Sequence, residues 1–274
     1  MTGFLQFMLL PLCACLLMIM ILAYLGMHVL EREIIFIDIA LAQIAVVGAI
    51  VAMVAFHAEH HTLLANLCAF GATLLAAAFY ALAQKGVRGL SIETIIGISY
   101  AVAAAAALLF VGLSAEGHAH VHHMLSGSLL WISWKELLYC CAAALPAGGV
   151  FLAFRGRFWE LSRGHAKSGA KAREGALGWN LLFYALLGVV ITAFVRIAGV
   201  LVVFSFLIMP ATFAAMFSES LGRRWAVACL CGAAASVAGL LFSYYLDFSV
   251  GPSVVSFLGA ALVAGAAVKR LTAG

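Results

Sequence analysis

Long apolar runs alternate with short polar interruptions along the whole chain. Each run holds about 18 to 24 residues with few or no charges. At about 1.5 Å per helical residue, that length crosses a hydrocarbon layer about 30 Å thick. The pattern predicts spans at Phe4 to Met27, Ile34 to Phe56, Thr62 to Ala83, Ile92 to Leu113 and Leu137 to Phe154. Four more follow at Leu177 to Val195, Ile197 to Phe217, Trp225 to Leu246 and Val250 to Val268. The runs are uniformly apolar, whereas barrel strands alternate in polarity over about ten residues, so the predicted fold class is all-α. The first run lacks a basic flank and an Ala-x-Ala exit, and reads as a retained span rather than a signal peptide.

One stretch needs dividing. Leu177 to Phe217 is interrupted only by Arg196 and Pro210, and as one helix it would measure about 60 Å, twice the bilayer core. Two spans joined by a tight turn near Arg196 are expected, with Pro210 kinking the second or ending it early. The whole chain, 1–274, then forms a single transmembrane domain.

Composition supports the same solvent. Of the 274 residues, 66% are hydrophobic and 9% charged, a balance that no water-soluble core could absorb. The seven cysteines, Cys13, Cys15, Cys68, Cys140, Cys141, Cys229 and Cys231, all fall inside predicted spans, where they act as small apolar side chains and not as a disulfide framework.

Charge then gives direction, because Lys and Arg in short loops are retained on the cytoplasmic side. With the N-terminus outside and the C-terminus cytoplasmic, the inner loops receive Arg32, Lys85, Arg88, Arg155, Arg157, Arg163, Lys167, Lys171, Arg173, Arg223, Arg224, Lys269 and Arg270. Only Lys135 and Arg196 of the 15 basic residues are left outside. The glycine-containing basic loop from Arg155 to Gly175 reads as an orientation signal in a flexible linker, with partner docking as the competing role.

The histidines sort the opposite way. His57, His60 and His61 lie with Glu59 in the first outer loop, and His118, His120, His122 and His123 in the second. The first group, if helical, brings its imidazoles together at i, i+3 and i+4; the second, if extended, projects alternate residues to one side. Imidazole with a carboxylate suits zinc and neighbouring divalent ions. The competing reading is that outer loops merely tolerate polar tracts.

Several activities are excluded by missing motifs. Gly164 to Lys171 lacks the Gly-Lys-Ser/Thr of a phosphate-binding loop, and His57-Ala-Glu59-His60-His61 is not the His-Glu-x-x-His of a zinc protease. ATP hydrolysis is therefore expected elsewhere. Glu93 opens its span as an acid favoured by the helix dipole, and Asp247 fits a capped turn before the last helix.

From Glu31 onward the chain resembles the permeases of ATP-binding-cassette importers for zinc, manganese and iron. The resemblance rests on Phe36-Ile-Asp-Ile-Ala-Leu-Ala-Gln43 followed by Gly48, on Glu93-Thr-Ile-Ile-Gly97, and on His123-Met-Leu-Ser-Gly-Ser-Leu-Leu130. Val195-Arg-Ile-Ala-Gly-Val-Leu-Val-Val-Phe-Ser-Phe-Leu-Ile-Met-Pro-Ala211 and Asp247-Phe-Ser-Val-Gly-Pro252 complete it. It implies a prokaryotic inner (plasma) membrane location, a homodimer, a cytoplasmic ATP-binding subunit and a periplasmic or surface-tethered metal-binding protein. It also implies that no cofactor is held permanently, and it gives no role to nucleic acid. The implied ATPase contact is the inner loop of Phe217, Ser218, Glu219, Ser220, Leu221 and Gly222. The cargo implied is a transition-metal ion, with zinc favoured by the histidine loops.

The chain departs from that family at one place. The second span usually carries an Asp and, four residues on, a His that line the ion path; here those positions are Ile39 and Gln43. Asp38, one residue earlier, is rotated by about 100°. It is a candidate for the path together with Gln43, the alternatives being interfacial pairing of Asp38 with Arg32 and helix packing by Gln43. Import of a metal chelate such as a siderophore or cobalamin remains a second reading. A zinc-dependent membrane enzyme using Glu59 or Glu116 is a third.

Overall fold

A computed structural model describes residues 2–56, 62–86, 90–112, 129–165 and 177–273. Among these residues the chain is helical, with a short 3-10 turn at Leu129–Trp131 and no strand. The helices are α1 (Thr2–Glu31), α2 (Ile37–Phe56), α3 (Leu63–Gly86), α4 (Ile92–Gly112), α5 (Trp134–Ala153) and α6 (Arg155–His165). They continue with α7 (Leu177–Ala198), α8 (Val200–Phe217), α9 (Leu221–Leu246) and α10 (Val250–Ala273). All but α6 are long and apolar enough to cross a bilayer, so nine candidate spans stand where nine were expected.

Polar side chains set several of the helix starts. Ser133 and Glu136 form a reciprocal capping box at α5: the Ser133 N–H donates to Glu136 Oε2 at 2.8 Å, and the Glu136 N–H donates to Ser133 Oγ at 3.3 Å. This starts the helix at Trp134, three residues before the expected Leu137. The Thr94 N–H likewise donates to Ser91 Oγ at 3.1 Å ahead of α4.

The expected division of residues 177–217 is present, but its hinge is glycine rather than arginine. Gly199 alone separates α7 from α8, at φ 80° and ψ 160°, a left-handed conformation that strains any residue with a Cβ. Pro210 does not end α8, which runs on to Phe217. One lost backbone bond is tolerated where the neighbouring bonds are all internal to the helix.

The basic segment after α5 also differs from expectation. Its first half is helix α6, because Phe158 and Ser162, four residues apart, share one face and are both fully buried. Asp247 closes α9 instead of opening α10. It adopts φ 56° and ψ 37°, which Asp tolerates better than most residues, and Ser243 Oγ donates to the Phe248 carbonyl at 2.6 Å.

The chain divides into two compact units. One comprises Met1–Leu30, His123–Ala142 and Phe194–Gly274. Its helices approach through small residues: Gly26 of α1 lies against the Leu207 carbonyl with no room for a Cβ, and a Cβ at Gly239 would stand 2.6 Å from Val254 Cα. Close backbone approach of this kind replaces the hydrophobic drive that lipid cannot supply. Trp225 Nε1 also donates to the Met20 carbonyl at 2.9 Å, tying α9 to α1.

The other unit comprises Glu31–His122 and Ala143–Ala193. Here α2 packs against α3 and α4, with Gly48 set against the Cys68 carbonyl and Ala72. An aromatic cluster of Phe151, Phe158 and Phe183 joins α5, α6 and α7; Phe151 and Phe158 have ring centroids 4.6 Å apart. Tyr80 of α3 meets Tyr184 of α7 edge to face at 6.1 Å.

Candidate functional site

The turn from α1 into α2, between two candidate spans, carries Arg32, Glu33 and, at its far end, Asp38. Glu33 takes a left-handed conformation at φ 56°, the Ile37 N–H closes on the Ile34 carbonyl at 3.2 Å, and Asp38 follows in the first turn of α2. Asp38 is only 2% exposed, and its Oδ1 has no hydrogen-bond partner among the described residues. An isolated charge in a membrane interior costs about 3 kcal/mol or more, so a buried acid left partly unsatisfied marks a position with a task.

Arg32 does not pair with that acid. Its Nε donates to Ser162 Oγ and its Nη1 to Asn180 Oδ1, both at 3.0 Å, while its guanidinium stacks 3.9 Å above the Phe183 ring. Burial pulls its pKa down to about 10, which keeps it cationic at neutral pH. Arg32 is thus a clasp joining the α1–α2 turn to α6 and α7.

The residue that does approach Asp38 is Glu93. Its Oε1 accepts the Phe36 N–H at 3.3 Å, so a side chain from the first turn of α4 satisfies a donor at the start of α2. Glu93 lies within electrostatic reach of Asp38, and its buried Oε2 is also unpartnered among the described residues. Two carboxylates therefore face the entrance of α2. The sequence offered no signal for this, because nothing in the local spacing of Glu93 shows what lies across from it.

Asp38 and Gln43 are not brought together. Five residues apart on one helix, they stand about 140° from each other around its axis. Gln43 is half-buried and makes no hydrogen bond among the described residues. Ile39 and Gln43 do share a face, but Ile39 has no ligand atom. The residues of the histidine loops, His57, Glu59, His60, His61, His118, His120, His122 and His123, lie outside the described residues. Among those described, no three His, Cys, Asp or Glu side chains converge on a metal-sized site.

The predicted inner loop has a defined geometry. Ser218 is extended and its N–H returns to the Ala214 carbonyl at 3.1 Å, ending α8. Arg224 then fixes the turn: Nε donates to the Ser218 carbonyl at 2.7 Å, and its N–H donates to the Ser220 carbonyl at 2.8 Å. Glu219, Ser220 and Gly222 are exposed, and Phe217, its ring tilted at 50° to Phe213 with centroids 5.0 Å apart, remains 46% exposed. This is a short clasped turn presenting an aromatic and an acid to its surroundings.

The chain matches the ABC 3 transport family over residues 4–269. It belongs to that family. Among relatives, a membrane protein of a metal transport system from Chlamydia pneumoniae is 23% identical over 178 residues, 65% of this chain and 60% of the relative. An iron transport system membrane protein of Haemophilus influenzae is 27% identical, over 69% of this chain and 66% of its own length. The chelated iron transport system membrane protein YfeD of Yersinia pestis is 30% identical, over 60% and 54%. The matched part of the chain thus spans about three-fifths of the length of these relatives. In solved structures the fold is similar to a chain of PsaBC from Streptococcus pneumoniae in complex with Fab, with a TM-score of 0.76 at 20% identity, covering 95% of this chain and 92% of that one. A metal-chelate type ABC transporter in an inward-facing conformation gives 0.67 at 18% identity, over 93% and 85%. As an ABC 3 family member, the chain is a multi-pass helical membrane protein.

Proposed function

We propose that this chain is the permease subunit of an ABC importer for a divalent transition metal, with both compact units forming one permease domain. The observation that carries the reading is the end-to-end family match on a framework of nine apolar helices. Sequence and geometry add the working parts. The clasped turn from Phe217 to Gly222 is a surface for a cytoplasmic ATP-binding subunit, and the histidine loops receive the ion from a periplasmic or surface-tethered binding protein. Asp38, opposite Glu93, is the acid of the path. The permease works as a homodimer in the inner membrane, N-terminus outside, and the hydrolysis of ATP belongs to the partner subunit.

Zinc is the ion that the imidazole clusters favour, because they offer neutral nitrogen ligands. Iron is the metal in the names of the Haemophilus and Yersinia relatives. The deciding measurement is uptake into proteoliposomes holding the permease, its ATPase and its binding protein, with zinc, iron and manganese supplied in turn. Uptake of one metal that requires ATP supports the proposal, and proton-driven flux through the permease alone contradicts it. A second reading, import of a metal chelate, is favoured by the absence of an Asp and His pair at Ile39 and Gln43. It wins if the binding protein retains a chelate and rejects the free ion.

A further inference from the structure

Helix α6 carries charge that the transport reading does not use. It begins immediately beyond α5, with Phe154 alone between them, and so lies at the depth where a span ends. Its buried face holds it at that depth: Phe158 meets Trp179 in the first turn of α7 at 5.5 Å, and Ser162 accepts the Arg32 hydrogen bond beside Asn180. Phe154 meets the same Trp179 at 5.2 Å. Indole rings at the end of a span are characteristic of the headgroup layer.

The rest of the helix is sorted by charge. Arg155, Trp159 and Arg163 fall at i, i+4 and i+8, a single stripe along the flank next to the buried face. Arg155 and Arg163 are exposed, and Arg163 lies over the Trp159 ring at 5.2 Å. Glu160, the one acid of α6, stands opposite the buried face, about 100° round the helix from Trp159, and pairs loosely with Arg157 at 3.8 Å. The stripe therefore has a net positive charge, an aromatic centre and a fixed position at the membrane boundary.

We infer that α6 is an interfacial helix whose Arg155, Trp159 and Arg163 stripe binds the headgroups of anionic phospholipids. Charge complementarity favours this partner, since cations held within a Debye length of an anionic leaflet are attracted to it, and a guanidinium fork matches a phosphate. The indole supplies the half-apolar surface that such a boundary favours.

The test uses the full chain reconstituted in vesicles of phosphatidylcholine doped with a trace of spin-labelled lipid. Spin-labelled phosphatidylglycerol should be immobilised several-fold more than spin-labelled phosphatidylcholine, and salt should reduce the difference. R155Q/R163Q should abolish that preference, whereas R155K/R163K, purified alongside, should keep most of it and so report on charge rather than on folding. E160Q, which removes a negative charge beside the stripe, should leave it unchanged or stronger. The inference is overturned if R155Q/R163Q retains the wild-type preference. It is equally overturned if R155K/R163K loses as much as R155Q/R163Q, or if R155Q/R163Q keeps the lipid preference but no longer retains the ATPase subunit.

Discussion

At the scale of single residues, the most informative position is Asp38. Its burial, its unsatisfied oxygen and the neighbouring Glu93 distinguish it from an interfacial acid neutralised by Arg32, which directs its hydrogen bonds to Ser162 and Asn180 instead. Asp38→Asn preserves shape and removes the ionisable carboxyl. It should lower ATP-dependent metal uptake by about tenfold or more, the scale of losing one charge-assisted contact, while leaving the thermal unfolding midpoint in detergent close to wild type. Arg32→Ala should do the reverse. Removing the clasp leaves two buried oxygens without their donor and should cost about 1–3 kcal/mol, read as a lowered unfolding midpoint. Arg32→Lys should recover only part of this, because an ammonium cannot reproduce the fork and the stacking on Phe183. The importance of Asp38 was visible in the sequence from its place in a span. The nearness of Glu93 was not, since the two residues are separated by 55 positions and come close only through packing of α2 against α4.

At the scale of elements, the joints carry the specificity. Gly199 is the one residue between α7 and α8, and its φ of 80° makes it a test of whether the helix break is structural. Gly199→Ala should destabilise by about 1–3 kcal/mol, the cost of holding a Cβ in a sparsely allowed region, and the same unfolding measurement would show it. The turn from Phe217 to Gly222 makes a different prediction. It is exposed and clasped by Arg224, so Glu219→Lys with Phe217→Ala should leave the permease monodisperse and sharply reduce co-purification of the ATPase subunit. Unchanged co-purification would remove this turn from the proposed interface. Apolar length revealed α1 to α5 and α7 to α10 in the sequence. It did not reveal α6, because an 11-residue polar helix has too little apolar surface to announce itself and is stabilised by Phe158 and Ser162 packing under an arginine from elsewhere in the chain.

At the scale of the whole molecule, the proposed function makes the histidine loops the entrance for the ion. Replacing the histidines of both loops proposed to face outward with serine should reduce uptake at limiting metal and leave it nearly normal at saturating metal, since ligands at an entrance raise capture more than turnover. Equal loss at both concentrations would assign them a structural role. The sequence by itself determined the solvent, the helical class and the number of candidate spans among the described residues. These follow from the length and uniform polarity of each segment, and backbone groups in lipid can be satisfied only within the segment that bears them. The tertiary structure decided which polar groups meet. Arg32 could have neutralised Asp38, six residues away, but instead joins Ser162 and Asn180, while Glu93 turns to the start of α2. Such choices depend on how apolar helices approach one another through their small residues, and that approach is fixed by side-chain shape over many contacts, which no local pattern of hydropathy contains.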